Sequence, residues 1–250
     1  MPPPPPRDQA ARGFSWYLDR LARRTFATVR WHQGGAATQC DRPILAIANH
    51  TSWWDGFLSH QVSRKIGRHF RILMEAEHLA RYPALRWIGA LPMERRSPQQ
   101  AMRDLATATA CLAPDSLVWI YPQGRRSPAP APMERLEQGA AWMLLRHDGP
   151  LRVLPVGFRY PFTSEQLPEV CIRVGTPWDV EPGHGLDRAM IMSRMALMLT
   201  ETIAQLDADV GAEDFSCYAT LVAGRDSINL KFDRMRQRLG LLDRAPERNG

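Results

Sequence analysis

Residues 43–58 read Pro-Ile-Leu-Ala-Ile-Ala-Asn-His-Thr-Ser-Trp-Trp-Asp-Gly-Phe-Leu. The apolar run at 44–48 predicts a buried strand of about five residues, because an unbroken run of this length is typical of a strand covered on both faces. Thr51 or Ser52 is placed to cap a helix that begins near Trp53. The stretch therefore predicts a strand, a tight turn and a helix. In an open α/β sheet, the carboxyl end of such a strand is where ligands bind.

A histidine and an aspartate, His50 and Asp55, lie in this turn. An imidazole titrates near neutral pH and can take a proton from a hydroxyl, and a carboxylate on its other ring nitrogen fixes the tautomer and stabilises the imidazolium. The two residues form the base half of a Ser-His-Asp triad whose hydroxyl the stretch does not identify. The alternative interpretation is structural: His50 ends a strand, and Asp55 is an ordinary acidic residue in the first turn of a helix.

The composition indicates one α/β domain with an anionic partner. The chain has 250 residues, 44% of them hydrophobic, which suits a single domain with a substantial core. A net charge of +6 fits phosphate groups, an anionic membrane surface or nucleic acid. The sequence shows no nucleic-acid motif with interleaved aromatic residues, so we expect no nucleic-acid partner.

The spacing of cysteine and histidine predicts no metal site. The four cysteines lie far apart without a CxxC pair, and the seven histidines are scattered along the chain. We therefore expect the free thiols of an intracellular protein, no metal and no cofactor. The sequence has neither a secretory signal peptide nor a run of about 18 apolar residues, so no transmembrane helix is expected.

Four segments are expected along the chain. Residues 1–11 contain a proline run and are expected to be disordered. Residues 12–35 are expected to form an amphipathic helix, residues 36–210 the main domain, and residues 211–250 a charged helical extension. The N-terminal helix combines aromatic and Arg-rich positions, which is typical of helices in a membrane interface. The alternative is an ordinary surface helix packed on the domain.

Strands and helices alternate along the main domain, which predicts a mostly parallel central sheet flanked by helices on both faces. Pro83 is expected to break one of the helices. The expected strands are 44–48, 69–74, 89–95, 116–121, 151–158 and 169–175, and the expected helices are 57–66, 75–88, 97–112, 138–146, 186–206 and 213–242.

Two further predicted strands end in arginine. Arg95 and Arg96 close one strand, and Arg125 and Arg126 follow Gly124 after another. Guanidinium groups bind phosphate bidentately without titrating. A glycine allows close backbone approach, so the N–H of Gly124 or a neighbouring N–H can face a developing oxyanion. The alternative is that these arginines are surface charges in an Arg-rich chain.

Four sequence blocks occur in a familiar order. They are the His-x4-Asp segment 49–55, the glycine-to-arginine segment 89–95, Tyr-Pro-Gln-Gly-Arg-Arg-Ser at 121–127, and Leu-Pro-Val at 154–156. Together they resemble the blocks of the glycerolipid acyltransferase superfamily, which includes lysophosphatidic acid acyltransferases. The segment 138–141 also resembles the Lys-Gly-Ala helix start of that superfamily.

The resemblance implies a reaction and residue roles. Members transfer a fatty acyl group from acyl-CoA or acyl carrier protein, as co-substrate, to a hydroxyl, and they have no serine nucleophile. By this resemblance His50 would be the general base and Asp55 would orient it. Arg95 and Arg126 would hold the head group of the acceptor, and Gly124 would lie near the tetrahedral intermediate. The acceptor hydroxyl would take the place of the missing serine.

This sequence departs from the superfamily pattern in the third block. Gln123 stands where the superfamily has glutamate, and Arg125 stands where it has threonine. We count both with Arg95, Gly124 and Arg126 as expected substrate-binding residues. The expected acceptor is a lysophospholipid or a related membrane lipid. A glycolipid or a glycosylated isoprenoid remains an alternative acceptor.

The expected partners are a membrane lipid, an acyl donor and a membrane surface. Without a hydrophobic anchor, the protein is expected at the cytoplasmic face of the membrane as a peripheral or monotopic protein. Two other functions remain open at this stage. One is a thioesterase or lipid hydrolase that uses the same base on water, and the other is a lipid-binding module without catalytic activity.

Overall fold

The computed structural model describes residues 8–32, 34–127, 136–163, 166–183, 185–225 and 235–236. The helices are α1 (Asp8–Thr25), α2 (Asp55–Lys65), α3 (Ala76–Arg81), α4 (Pro98–Thr109), α5 (Gly139–Arg146) and α6 (Arg188–Gly211), with 3₁₀ turns at Gly35–Ala37 and Pro83–Ile88. The strands are β1 (Thr28–His32), β2 (Ile44–Ala48), β3 (His69–Glu75), β4 (Ala90–Met93), β5 (Ser116–Ile120), β6 (Leu151–Arg159), β7 (Val170–Val174), β8 (Trp178–Val180) and β9 (Tyr218–Ala223).

The nine described strands form one sheet in the order β4-β3-β5-β2-β6-β7-β1-β9, with β8 paired to β6. The five strands from β4 to β6 are parallel to one another. β7 runs antiparallel to β6, and β9 runs antiparallel to β1. The predicted mostly parallel sheet is therefore confirmed, and β2 lies in its middle.

Strand β2 is buried on both faces because helices cover each side of the sheet. All five of its residues are buried. Ile44, Ala46 and Ala48 face a core that also contains Leu18 of α1 and Leu58 of α2. Leu45 and Ile47 face a second core, built on α4, α5 and α6. Burying each of Ile44, Leu45 and Ile47 contributes about 1.5–3 kcal/mol, so the central strand is firmly anchored.

The helix expected at 12–35 is wrong over its last part. Helix α1 runs from Asp8 to Thr25, so residues 8–11, expected in the disordered tail, are helical, while 1–7 lie outside the described residues. The following β1 is a strand because its burial alternates, with Val29 and Trp31 inside. This period of two, together with β-branched and aromatic residues, favours a strand over a helix.

The helix expected at 213–242 is wrong over residues 218–223, which form β9. β-branched and aromatic side chains in this segment suit a pleated surface, and pairing with β1 satisfies one side of its backbone. Helix α6 also extends to Gly211, beyond the expected end at 206. Residues 226–234 and 237–250 lie outside the described part of the chain. The predicted break at Pro83 is confirmed, because α3 ends at Arg81 and a 3₁₀ turn follows.

Candidate active site

The turn between β2 and α2 is built around the carboxylate of Asp55. Its Oδ2 accepts hydrogen bonds from the backbone N–H groups of Thr51 at 2.7 Å and Ser52 at 2.9 Å, and lies 2.7 Å from Nδ1 of His50. The Asp55 side chain is fully buried, whereas that of His50 is 22% exposed. Because Oδ2 already accepts two backbone N–H groups, we assign the proton between the pair to Nδ1 of His50. The lone pair of Nε2 is then free to accept a proton.

The second carboxylate oxygen of Asp55 accepts a hydrogen bond from the hydroxyl of Tyr160 at 2.6 Å. Sequence reasoning missed this residue, which follows the last residue of β6. Burial, followed by the negative charge of Asp55, raises the pKa of Tyr160 well above its usual value, so the phenol stays protonated and donates. Tyr160 and Asp55 lie close together because β6 pairs with β2 in the sheet. No local sequence pattern reveals that pairing.

The expected capping of α2 by Thr51 or Ser52 is not seen. The Ser52 hydroxyl accepts a hydrogen bond from Trp54 N at 3.2 Å, but the helix start has no side-chain cap. The orphan N–H groups of the turn point instead at Asp55. The predicted tight turn is therefore present, and the side chain of Asp55 holds it together by accepting these N–H groups while it contacts the imidazole.

Two amide side chains fix the end of β2. The carboxamide of Asn49 donates to the carbonyl of Phe158 at 3.1 Å and accepts from its N–H at 2.8 Å, which extends the pairing of β2 with β6. The Oε1 atom of Gln123 accepts the backbone N–H of His50 at 2.6 Å. A neutral amide suffices for this contact, because it uses only the carbonyl end of the side chain.

Tyr121, which directly precedes Pro122, covers one face of the imidazole. Its ring lies 4.4 Å from that of His50 and is nearly parallel to it, at 14°. Its hydroxyl is 2.9 Å from the Ser59 hydroxyl. Burial, and then the charge of Asp55, raise the pKa of Tyr121 well above its usual value. The stacked ring restricts rotation of the imidazole and leaves its edge facing the cavity described next.

A cavity of about 1140 Å³ opens beside His50. It passes around the carboxyl ends of β3, β4 and β5 and has walls from both cores, with Phe57, Phe70 and Ile88 on one side of the sheet and Leu105 and Ile120 on the other. Its volume is slightly above the range of about 300–1,000 Å³ that is usual for ligand pockets. It is mostly apolar, and its polar groups gather where the strands end.

The expected binding residues divide between the wall of this cavity and the layer behind it. Arg95, Gly124, Arg125 and Arg126 line the cavity, and Gln123 is not among its described lining residues. Gln123 supports His50 from behind, so its expected contact with substrate stays a prediction that the geometry does not favour.

Gly124 occupies a left-handed conformation at φ +68°. An added Cβ would lie 2.6 Å from Cγ of Glu137. The N–H of Gly124 donates to Tyr121 O at 3.0 Å, so it is already used within the turn. Among the described residues, neither Arg125 N nor Arg126 N has a hydrogen-bond acceptor. The candidate oxyanion donor is therefore one of these two neighbouring N–H groups.

The four arginines singled out from the sequence differ in their partners. Arg95 donates to the carbonyl of Gly124 and forms an ion pair with Glu137 at 3.1 Å, while Arg96 pairs with Glu77 at 2.6 Å and is not among the described cavity-lining residues. In the described part of the chain, no carboxylate lies within ion-pair distance of Arg125 or Arg126. Both exposed guanidinium groups line the cavity, where they are placed to bind an anion.

Comparison with known proteins identifies the chain's family. The sequence profile of the Acyltransferase family matches residues 29–159, more than half of the chain. The chain belongs to the Acyltransferase family. The matched range begins in β1 and ends with β6, and it includes His50, Asp55 and the cavity-lining turn after β5. This protein is therefore an acyltransferase, and the resemblance noted in the sequence is confirmed.

The fold of this acyltransferase is similar to that of a solved enzyme. The crystal structure of the 1-acyl-sn-glycerophosphate (LPA) acyltransferase PlsC from Thermotoga maritima superposes with a TM-score of 0.55 and 18% sequence identity, covering 81% of this chain and 83% of that chain. At this identity the match establishes the shared fold. No curated protein matches the sequence at a significant level.

Two features of the described residues bear on membrane and metal binding. None of the helices within the described ranges is long and apolar enough to cross a membrane. Across those same ranges, no group of three or more histidine, cysteine, aspartate or glutamate side chains is arranged to hold a metal ion.

Proposed function

We propose that this acyltransferase moves a fatty acyl group from the thioester of acyl-CoA or acyl carrier protein to a hydroxyl of a membrane lipid. His50 is the general base, and Asp55 orients it. One observation carries the proposal: Nδ1 of His50 is engaged by a buried carboxylate, while the imidazole lines a large apolar cavity. A base that is held in one tautomer at the wall of such a cavity suits proton abstraction from a lipid hydroxyl.

The reaction proceeds by direct attack. Nε2 of His50 takes the proton of the acceptor hydroxyl, and the oxygen forms a bond to the carbonyl carbon of the thioester. The tetrahedral intermediate collapses by breaking the carbon–sulfur bond, and the leaving thiolate takes the proton from the imidazolium. The N–H of Arg125 or Arg126 stabilises the negative oxygen of the intermediate. No covalent acyl-enzyme forms.

The serines beside the dyad support a hydroxyl supplied by the substrate. The Ser52 hydroxyl accepts from Trp54 N, and the Ser59 hydroxyl pairs with Tyr121. That of Ser63 donates to Ser59 O and accepts from the Trp119 indole. Each of the three hydroxyls thus has a partner within the fold, and we expect the hydroxyl of the acceptor lipid to take the place that serine has in a hydrolytic triad.

For the acceptor we propose a lysophospholipid or a related lipid that already carries one acyl chain. The cavity has apolar walls on both sides of the sheet, which offers separate regions for the donor chain and for a chain of the acceptor. Arg125 and Arg126 offer two guanidinium groups for an anionic head group. The similarly folded Thermotoga maritima enzyme is named for 1-acyl-sn-glycerophosphate, an acceptor of this kind.

Helix α1 supports attachment to a membrane surface. Trp16 and Tyr17 are 63% and 52% exposed, Tyr17 also lines the cavity, and the guanidinium of Arg20 lies over the Trp16 ring at 5.8 Å. Exposed aromatic and cationic side chains favour the interface of an anionic membrane. We expect salt-sensitive sedimentation with anionic vesicles that Trp16→Ala and Tyr17→Ala weaken together. Unchanged sedimentation of the double variant would remove α1 from the interface.

The catalytic proposal is tested by His50→Ala in an acyl-transfer assay with a thioester donor and a panel of acceptors. We expect transfer to be lost while the melting temperature is kept. His69→Ala is the matched control, because His69 also lies beside an aspartate, Asp115, at 3.2 Å but is exposed at the start of β3. Full transfer by His50→Ala would contradict the assignment.

The acceptor panel separates the alternatives. Product that depends on a lysophospholipid supports the proposed acceptor. Product that forms only with a glycolipid or a glycosylated isoprenoid would identify that lipid as the acceptor instead. Fatty acid release that ignores every added acceptor would instead indicate a hydrolase or thioesterase.

A further inference from the structure

We propose that Tyr160 is a positioning residue of the dyad: its hydroxyl holds the second oxygen of Asp55 so that the first oxygen stays on Nδ1 of His50. The inference rests on the proposed function, because it gives Tyr160 a role through the base assigned there. It concerns a residue outside all four sequence blocks.

The hydrogen bonds of Asp55 are divided unequally between its two oxygens. Oδ2 receives the N–H groups of Thr51 and Ser52 and the imidazole of His50. Oδ1 receives the Tyr160 hydroxyl at 2.6 Å. Without this phenol, the described structure records no other hydrogen bond to Oδ1, and a fully buried carboxylate oxygen would lack a donor. Such a loss is costly for a charged group, and a less restrained carboxylate would hold His50 in a less defined orientation while its charge stays beside Nδ1.

Tyr160 is itself held in place from two directions. The Asn49 carboxamide pairs with both backbone groups of Phe158, two residues earlier, and so ties the end of β6 to the end of β2. The Tyr160 ring packs 6.0 Å from the Phe26 ring. A phenol on a fixed backbone and a packed ring can impose one orientation on the carboxylate, which a mobile surface donor could not.

The hydrogen bond also affects how firmly the imidazolium is held. A donor on Oδ1 draws negative charge away from the oxygen that faces His50, so the protonated imidazole is stabilised less. This favours the neutral base before reaction and release of the proton to the leaving thiolate afterwards. Other titratable or charged groups include Tyr121, stacked on His50, and the cavity-lining Arg95 with its partner Glu137, Arg125 and Arg126.

The experiment compares Tyr160→Phe with the wild-type full-length chain. We expect kcat to fall roughly tenfold, since a hydrogen bond to a charged group is lost, while KM for donor and acceptor stays within about twofold. The acid limb of the pH profile of kcat/KM should move up by roughly half a pH unit, because the imidazolium gains stability. An unchanged kcat and an unchanged acid limb would overturn the proposal.

Tyr218→Phe is the matched control. Its hydroxyl also donates to an aspartate, Asp209, at 2.6 Å, but in a cluster that contains no cavity-lining residue. A merely structural phenol should lower the melting temperature and leave the pH profile alone. If both variants lower only the melting temperature, Tyr160 is structural.

A second variant keeps the test decisive if Tyr160→Phe folds poorly. Replacing Tyr160 with 3-fluorotyrosine keeps the ring and makes the hydroxyl a stronger donor, so the acid limb should move to lower pH. No shift, or an upward shift, would count against the proposal. His50→Ala is assayed in parallel: transfer retained in that variant defeats the proposed function, whereas its loss together with wild-type behaviour at position 160 defeats only this inference.

Discussion

Two clusters in the molecule contain a histidine, an aspartate and a tyrosine, yet only one of them suits catalysis. Beside the cavity, Asp55 lies 2.7 Å from His50 and accepts from Tyr160. At the β1–β9 edge, Asp209 accepts from Tyr218, whose ring lies 5.7 Å from that of His32.

The difference lies in the cation that faces each carboxylate. Asp209 pairs with Arg173 at 2.5 Å, a permanent cation, and burial, followed by the charge of Arg173, lowers the pKa of His32. Asp55 faces an imidazole that can gain and lose a proton. A carboxylate that is neutralised by arginine is a structural element, whereas one opposite histidine can respond to proton transfer. Residue type alone does not separate the two clusters.

The largest expected effect tests this contrast directly. Asp55→Asn should lower kcat by about 10³–10⁴-fold, because an amide that donates to the imidazole favours the wrong tautomer. Asp209→Asn should leave kcat unchanged and lower the melting temperature. Steady-state acyl transfer and thermal unfolding measure the two quantities. Equal losses of kcat in the two variants would contradict the distinction between a catalytic and a structural cluster.

An intermediate effect is expected at Gln123, which supports His50 from behind. Gln123→Ala removes the acceptor of the His50 N–H and should lower kcat roughly tenfold to hundredfold. Gln123→Glu keeps a carbonyl-type acceptor and should stay within about threefold of wild type. If Gln123→Glu is as impaired as Gln123→Ala while KM for the acceptor rises, the residue contacts substrate after all.

The smallest effect on turnover is expected at His60, a buried histidine for which the described residues provide no acidic partner. Its Nε2 lies 2.9 Å from the Ser15 hydroxyl, and burial, aided by the charge of Arg64, lowers its pKa from 6.5 to about 4. The folded state therefore binds fewer protons than the unfolded state between these two values, so stability falls as the pH falls through that window.

By about pH 5 this histidine should have removed about 2 kcal/mol of the free energy of unfolding relative to neutral pH. His60→Gln keeps a donor at the position of Nε2 and should lose less stability over this pH range by about that amount, with kcat unchanged. Denaturant titrations at the two pH values measure the difference. Parallel curves for the two proteins would show that His60 does not titrate in this window.

The sequence predicted the parts of this molecule that depend on local pattern. Strand β2 was predicted because its apolar run is unbroken, and the His50–Asp55 contact because the turn between them is short. The Arg125–Arg126 pair was predicted at a strand end, and it lines the cavity.

The sequence did not predict the features that depend on which strands are neighbours in the sheet. Tyr160 lies 105 residues from Asp55 along the chain and reaches it only because β6 pairs with β2. Strands β1 and β9 were taken as helix, since segments of five or six residues are too short to separate the two periods and their pairing decides between them. Gln123 was assigned to substrate because it lies in a predicted binding loop. The sequence does not show that its side chain instead accepts a hydrogen bond from the backbone N–H of His50.

The central position of β2 has a consequence for how the protein opens. An amide at Ile47 is hydrogen-bonded in a sheet that continues for several strands on either side, so its hydrogen exchange requires global unfolding. Strand β4, which contributes to the cavity wall, lies at the edge of the sheet and can exchange through smaller openings. We therefore expect the edge strand at the cavity wall and the strand that precedes His50 to belong to different cooperative units, with faster amide exchange in β4 than in β2.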